Sequence, residues 1–116
     1  MLIGELSRRT GVSARSLRYY EAQGLLDAGR GANGYRAYDE GAVVTVRQVR
    51  ALLAVGLSTD VIREVLPCVR GADPGPGFDW CADLRALLDR ELAAMDEQID
   101  GLQRSRRALA GYMERP

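Results

Sequence analysis

Residues 3–26, which read IGELSRRTGVSARSLRYYEAQGLL, decide the fold of this chain. The spacing of their apolar residues predicts a helix over 3–10, and Gly11 ends it. Ser13 is a typical N-cap, whose side-chain oxygen accepts a hydrogen bond from a free backbone N–H, for a second helix over 14–23. Two short helices joined by a tight turn that contains glycine predict a helix-turn-helix.

An antiparallel hairpin is predicted directly after the second helix. An extended segment begins at Leu25-Leu26, and a glycine-rich loop follows over 29–34. The loop ends in Asn33-Gly34, which is the strongest short sequence signal for a hairpin, and 35–38 return as a strand. We interpret this hairpin as a wing beside the helix-turn-helix.

Two further helices follow the predicted wing. Asp39 caps a helix over 40–55, and Ser58 caps a shorter one over 59–66. Pro67 ends the shorter helix, because proline lacks a backbone N–H and clashes with the preceding turn.

The rest of the chain predicts a loop and one long helix. We therefore divide the chain into a winged helix-turn-helix DNA-binding domain over 1–70, a Gly- and Pro-rich loop over 71–80 and a dimerisation helix over 81–113. Apolar residues recur along this helix at alternating steps of four and three, with Arg106 in one position of the heptad stripe. The stripe consists of Leu88, Leu92, Met95, Ile99, Leu102, Leu109 and Met113.

A helix with such a stripe needs a partner surface. A second copy of the chain is the simplest partner, so we expect a coiled-coil homodimer. The alternative is that the stripe packs back onto its own domain.

Composition excludes several classes of protein. The chain has 116 residues, the size of one domain, which excludes a large two-domain enzyme. It has no histidine, which excludes a Ser-His-Asp triad, a Cys-His dyad and a His-bearing metal site within the chain. It has no run of 18 apolar residues and no secretory signal, and two cysteines are too few for a disulfide scaffold. We expect a cytoplasmic, non-membrane protein that is not an enzyme.

Charge is distributed unevenly although 16 basic and 16 acidic residues balance. Residues 1–38 hold six arginines against three acids, and residues 71–103 hold eight acids against two arginines. A basic segment in a neutral chain indicates a polyanionic partner for that segment, whereas ordinary surface variation is the alternative.

The candidate DNA contacts lie on the second helix and on the wing. Arginine can bind guanine through two hydrogen bonds, and tyrosine can donate to phosphate. Since neighbouring side chains on a helix point about 100° apart, we expect one of Tyr19 and Tyr20 to face DNA and the other the core. The predicted contacts are Ser13, Arg15, Ser16, Arg18, Tyr19, Arg30, Asn33, Gly34, Tyr35, Arg36 and Tyr38.

Five segments together resemble the signature of the MerR-type transcription regulators. They are IGEL at 3–6, TGVS at 10–13, LRYYE at 17–21, GLL at 24–26 and GYRAY at 34–38. The resemblance extends over essentially the whole chain and ends in the long helix of that family.

The resemblance implies a mainly α fold in which the long helix pairs antiparallel with that of a second copy. It implies binding to two-fold-symmetric, double-stranded promoter DNA, whose spacer the dimer bends and untwists so that RNA polymerase engages both promoter elements. RNA polymerase is thus an indirect partner. By position in the motif, we expect Arg15 and Ser16 to read bases and Arg18 and Tyr19 to contact mainly phosphates.

The two cysteines are compatible with more than one regulatory signal. Cys81 lies near the start of the long helix, where thiophilic-metal sensors of the family have a ligand, and Cys68 lies 13 residues earlier. Three interpretations remain: small packing residues, a reversible disulfide, or a thiophilic metal that a thiolate of the partner chain helps to hold. The alternative to a signal-gated regulator is a ligand-independent or adaptor-type winged-helix coiled-coil protein with structural cysteines.

Overall fold

The computed structural model describes residues 1–30 and 34–116, with Arg30 described by its backbone alone. The chain forms two units, over 1–79 and 80–116, and the fold is mainly α. The first unit contains, in chain order, α1 (Ile3–Thr10), α2 (Ala14–Ala22), β1 (Gly29–Arg30), β2 (Arg36–Ala37), α3 (Glu40–Ala54), α4 (Thr59–Val65), a 3-10 turn (Leu66–Cys68), β3 (Val69–Arg70) and β4 (Gly77–Phe78). The second unit contains α5 (Ala82–Met113).

Helix starts follow the predicted caps. The side chain of Ser13 accepts from the backbone N–H of Ser16, Asp39 caps α3 in the same way, and Ser58 caps α4. Gly11 lies in the left-handed region with φ of 74°, a conformation that costs glycine little. The helix-turn-helix expected from 3–26 is therefore confirmed.

The core of the first unit lies among its helices. α1 packs against α2 and α3, and α3 packs against α4. The least exposed side chains come from all four of these helices: Leu6, Leu17, Val46, Val49, Ile62 and Val65. Burial of each side chain contributes roughly 1.5–3 kcal/mol, so this apolar core holds α2 at a fixed angle.

The structure differs from the sequence expectations at three places. β1 begins at Gly29, inside the expected loop, and pairs antiparallel with β2 through Gly29↔Ala37 and Arg30↔Arg36. The chain continues through Pro67 in a 3-10 turn, which proline tolerates near a helical start. The expected loop over 71–80 includes one strand of a second hairpin, in which β3 pairs antiparallel with β4.

The second unit is a single helix of 32 residues that Cys81 caps. Most of its apolar stripe faces solvent in the single chain. The stripe residues that are more than half exposed are Leu92, Ile99, Leu102, Leu109 and Met113. No helix among the described residues is both long and apolar enough to span a membrane.

Candidate nucleic-acid interface

The outward face of α2 carries two arginines and a tyrosine. Arg15, Arg18 and Tyr19 are exposed and follow the i, i+3, i+4 spacing of one helix face. Leu17 and Tyr20 point the other way and are buried. The two adjacent tyrosines therefore separate as expected, with Tyr19 outward and Tyr20 in the core. This face offers cationic and hydroxyl donors of the kind that bind phosphates and base edges.

The two serines at the start of α2 are engaged with each other. Ser13 Oγ donates to Ser16 Oγ at 3.1 Å and accepts from the Ser16 N–H at 3.1 Å. Ser13 therefore fixes the start of the helix, and Ser16, which is half-buried, is partly occupied by the cap. Arg15 is the more exposed of the two residues predicted to read bases.

Residues of α2 and the wing meet around a shallow notch of about 300 Å³. The notch brings Arg18 of α2 beside Tyr35 and Arg36 of the wing. Leu2, Ile3 and Gly34 complete its lining. The helix and the wing therefore form one surface, which carries positive charge and an exposed aromatic ring.

A carboxylate connects α2 to the wing. Glu21 Oε2 accepts from Arg36 Nη1 at 2.7 Å, and Glu21 Oε1 accepts from the Tyr38 hydroxyl at 3.2 Å. Burial raises the pKa of Tyr38, and the charge of Glu21 and its hydrogen bond raise that pKa further, so the hydroxyl remains a donor.

Tyr38 differs from Tyr35 and Arg36 of the wing because it is buried. Only 3 % of this residue is exposed, and its hydroxyl already donates to Glu21. Its contact with DNA stays a prediction from the sequence. The backbone N–H of Tyr38 also donates to the Met1 carbonyl at 2.7 Å, which ties the wing to the start of the chain.

Two arginines that the sequence pattern did not indicate stabilise the helix-turn-helix. They lie on α3 and α4 and donate to backbone carbonyls at the ends of its two helices. Arg50 of α3 donates to the Thr10 carbonyl at 3.1 Å, where α1 ends. Arg63 of α4 donates to the Gln23 carbonyl at 2.6 Å, just after α2. Cations at helix C-termini satisfy free carbonyls and complement the helix dipole. Each pair is 40 residues apart, so no local sequence signal could have found it.

Two further predicted DNA contacts, Arg30 and Asn33, belong to the wing. The backbone of Arg30 lies in β1, opposite Arg36. Asn33 lies outside the described residues. Both stay predictions from the sequence.

The cysteines are free thiols with different surroundings. Cys68 is half-buried at the end of the 3-10 turn, and Cys81 is exposed. Cys81 Sγ accepts from the Leu84 N–H at 3.4 Å. Within residues 1–30 and 34–116, no three or more Cys, Asp or Glu residues are grouped so that they could hold a metal ion. One chain therefore does not supply a complete tetrahedral site from the residues described.

Comparison with known proteins identifies the family. Residues 1–67 match the family described as MerR HTH family regulatory protein, and residues 43–112 match the family described as MerR, DNA binding. The HTH-type transcriptional regulator HmrR of Rhizobium leguminosarum bv. viciae is 34% identical over 109 residues, which are 94% of this chain and 81% of that protein.

Solved structures agree with this assignment. The transcription regulator PbrR691 from Ralstonia metallidurans CH34, solved in complex with lead(II), has a TM-score of 0.78 and 29% identity, covering 96% of this chain and 83% of that one. HiNmlR, a MerR family regulator lacking the sensor domain and bound to promoter DNA, has a TM-score of 0.58 over 97% of this chain and 86% of that one. Its identity is 23%, so this likeness concerns the fold alone. This chain belongs to the MerR family of helix-turn-helix transcriptional regulators, which are DNA-binding proteins and not enzymes.

Proposed function

We propose that the outward face of α2 and the wing bind promoter DNA in each copy of a homodimer. The observation that carries this proposal is the exposed row of Arg15, Arg18 and Tyr19 on α2, of which Arg18 adjoins Tyr35 and Arg36 around one notch. Arg15 reads base edges near the start of the recognition helix, and Arg18 and Tyr19 contact phosphates. Binding to promoter DNA would place the protein in the cytoplasm, on the nucleoid.

The homodimer is proposed from the apolar stripe of α5. Its exposed leucines and isoleucine recur with heptad spacing, and a second α5 would remove them from water. Two copies related by a two-fold axis place two recognition helices on a two-fold-symmetric operator. Bending and untwisting of the spacer between the half-sites then changes how RNA polymerase engages the promoter.

DNA binding is tested with a duplex that the wild-type protein selects from a random-core library, alongside a scrambled duplex of the same composition. Arg15→Ala should weaken binding to the selected duplex by about tenfold and leave binding to the scrambled one nearly unchanged. Arg18→Ala should weaken both and lower the salt slope by about one per contact. The control is Arg90→Ala, which removes an exposed arginine from α5. Equal losses for Arg15→Ala and Arg90→Ala on both duplexes would contradict the proposal.

We propose further that the regulatory signal acts on the thiol of Cys81. Two facts support this: the similar regulator PbrR691 was solved with lead(II), and Cys81 is an exposed thiol at the start of α5. The hairpin β3–β4 also returns the chain beside Cys68, whose carbonyl accepts from the Asp79 N–H two residues before Cys81. Because the described residues of one chain offer no group of three or more such ligands, a bound thiophilic metal would need donors from the second copy as well.

Native mass spectrometry of protein purified without air distinguishes the signals. A dimer that retains a thiophilic metal, lost in Cys81→Ser, supports metal gating. A gain of one disulfide per chain after mild oxidation, lost in both Cys81→Ser and Cys68→Ser, supports redox gating instead. A metal-free dimer with unreactive thiols would contradict both and favour the ligand-independent or adaptor-type alternative.

A further inference from the structure

The recognition helix and the wing are joined through the single carboxylate of Glu21. One oxygen accepts from Arg36 and the other from Tyr38, two residues of the same wing segment. The Glu21 side chain is 18% exposed, so these contacts are shielded from water more than an ordinary surface ion pair. Two contacts to separate oxygens restrict both the distance and the rotation of the wing relative to α2.

The charge of Glu21 is unfavourable for its location. It lies two and three residues after Tyr19 and Arg18, which we assign to DNA contact, and an acid there opposes the attraction of a polyanion. Electrostatics alone therefore predicts that loss of this acid strengthens DNA binding. The two contacts predict the opposite, because they hold the wing where it meets the same duplex as α2.

We infer that Glu21 is a positioning residue for sequence-specific DNA binding. It acts through Arg36 and Tyr38, which it holds in place, and it does not itself touch DNA. This inference rests on the proposal that α2 and the wing form the DNA surface. Geometry matters for a complex in one fixed register, whereas non-specific binding depends mainly on total charge. Glu21 should therefore affect the specificity ratio, which is the affinity for the selected duplex divided by the affinity for the scrambled duplex, more than it affects the overall affinity for DNA.

The test uses the selected and scrambled duplexes, with fluorescence anisotropy on the full-length protein. Glu21→Ala should weaken binding to the selected duplex by at least about tenfold and leave the scrambled duplex unchanged or bound up to about threefold more tightly. The matched control is Glu5→Ala, which removes an exposed acid from α1. This control should affect both duplexes equally, and in the direction of tighter binding. Glu21→Ala that behaves like Glu5→Ala would overturn the inference.

A conservative variant separates geometry from charge. Glu21→Gln changes the charge by the same amount as Glu21→Ala, but its amide oxygen can still accept one hydrogen bond. It should recover part of the specificity ratio, to within about threefold of wild type. Equal ratios for the Gln and Ala variants would show that only charge matters and would overturn the inference.

Two further variants keep the test decisive if Glu21→Ala is poorly folded, which thermal unfolding detects. Tyr38→Phe removes one hydroxyl, leaves every charge in place and should lower the specificity ratio by about two- to threefold. Arg36→Gln should weaken specific binding in wild type and somewhat less in the Glu21→Gln background, because the neutral amide holds Arg36 less firmly than the carboxylate does. Additive losses would contradict the coupling. If Arg15→Ala and Arg18→Ala also leave DNA binding intact, the proposed DNA-binding surface is wrong. If these two variants lose affinity as expected and the Glu21 variants do not lose specificity, only the inference about Glu21 is wrong.

Discussion

Replacement of Leu102 by Ala should weaken the dimer without weakening the single chain. Leu102 belongs to the apolar stripe of α5 and is 73% exposed in the isolated chain. Its side chain therefore contributes little to the stability of the monomer. Leucine and alanine are both strong helix formers, so the substitution leaves the helix itself intact.

The expected loss follows from the area that a partner would cover. Full burial of a leucine side chain contributes roughly 1.5–3 kcal/mol, and truncation to alanine removes most of that. With about three quarters of Leu102 still to be buried, the loss is roughly 1–1.5 kcal/mol per helix, or about 2–3 kcal/mol per dimer. At about 1.4 kcal/mol per factor of ten, the dimer Kd should rise roughly 30- to 150-fold.

Sedimentation equilibrium over a range of protein concentrations measures that Kd directly. Circular dichroism on the same samples should show the same helix content per chain for wild type and Leu102→Ala, at concentrations where both proteins are dimeric. Arg104→Ala is the matched control, since Arg104 lies two residues along the same helix and outside the stripe. A Kd for Leu102→Ala within twofold of wild type would refute the assignment of the stripe as the dimer interface.

Three smaller predictions concern the first unit. The hydrogen bond from Arg9 and the positive charge of Arg9 lower the pKa of Glu40 below its usual value of 4.5. The ion pair should therefore stabilise the fold above pH 4.5, and this stabilisation should be lost as the pH falls through the lowered pKa. Denaturant midpoints should accordingly differ between wild type and Glu40→Gln at pH 7 and converge as the pH falls through the lowered pKa; a constant difference would contradict this. Ser13→Ala should lower the free energy of unfolding by about 1 kcal/mol through loss of the α2 cap, measured by urea denaturation. Gly24→Ala should cost about 1–2 kcal/mol in the same assay, because Gly24 has φ of 75°, whereas Gly75→Ala, with open space around it, should cost little.

Local signals predicted the helices and their starts. Ser13, Asp39 and Ser58 each accept from a backbone N–H three residues later, a contact that depends only on nearby sequence. Separation of Tyr19 from Tyr20 was predictable for the same reason, since helical geometry alone turns adjacent side chains apart.

Contacts between distant segments were not predictable in this way. Arg63 of α4 meets the carbonyl just after α2 only in the folded chain, and no periodicity in the sequence encodes that contact. The burial of Tyr38 was not predictable for a related reason. The wing strands are two residues long, too short for alternation to show which side chains face inward.

Net charge was a weak guide to function in this chain, and the reason is physical. Screening limits exposed charges to a range of about 8–10 Å in physiological salt, so a bound duplex responds to the side chains nearest to it. Arg15 and Arg18 lie on the outward face of α2, whereas half of the 16 acids that neutralise the total lie in 71–103. Glu21 shows why even the sum of the charges near the proposed DNA surface does not predict DNA binding. Its carboxylate reduces the positive charge of the surface, yet it holds Arg36 and Tyr38 of the wing, so its effect on DNA binding depends on geometry that charge counting does not contain.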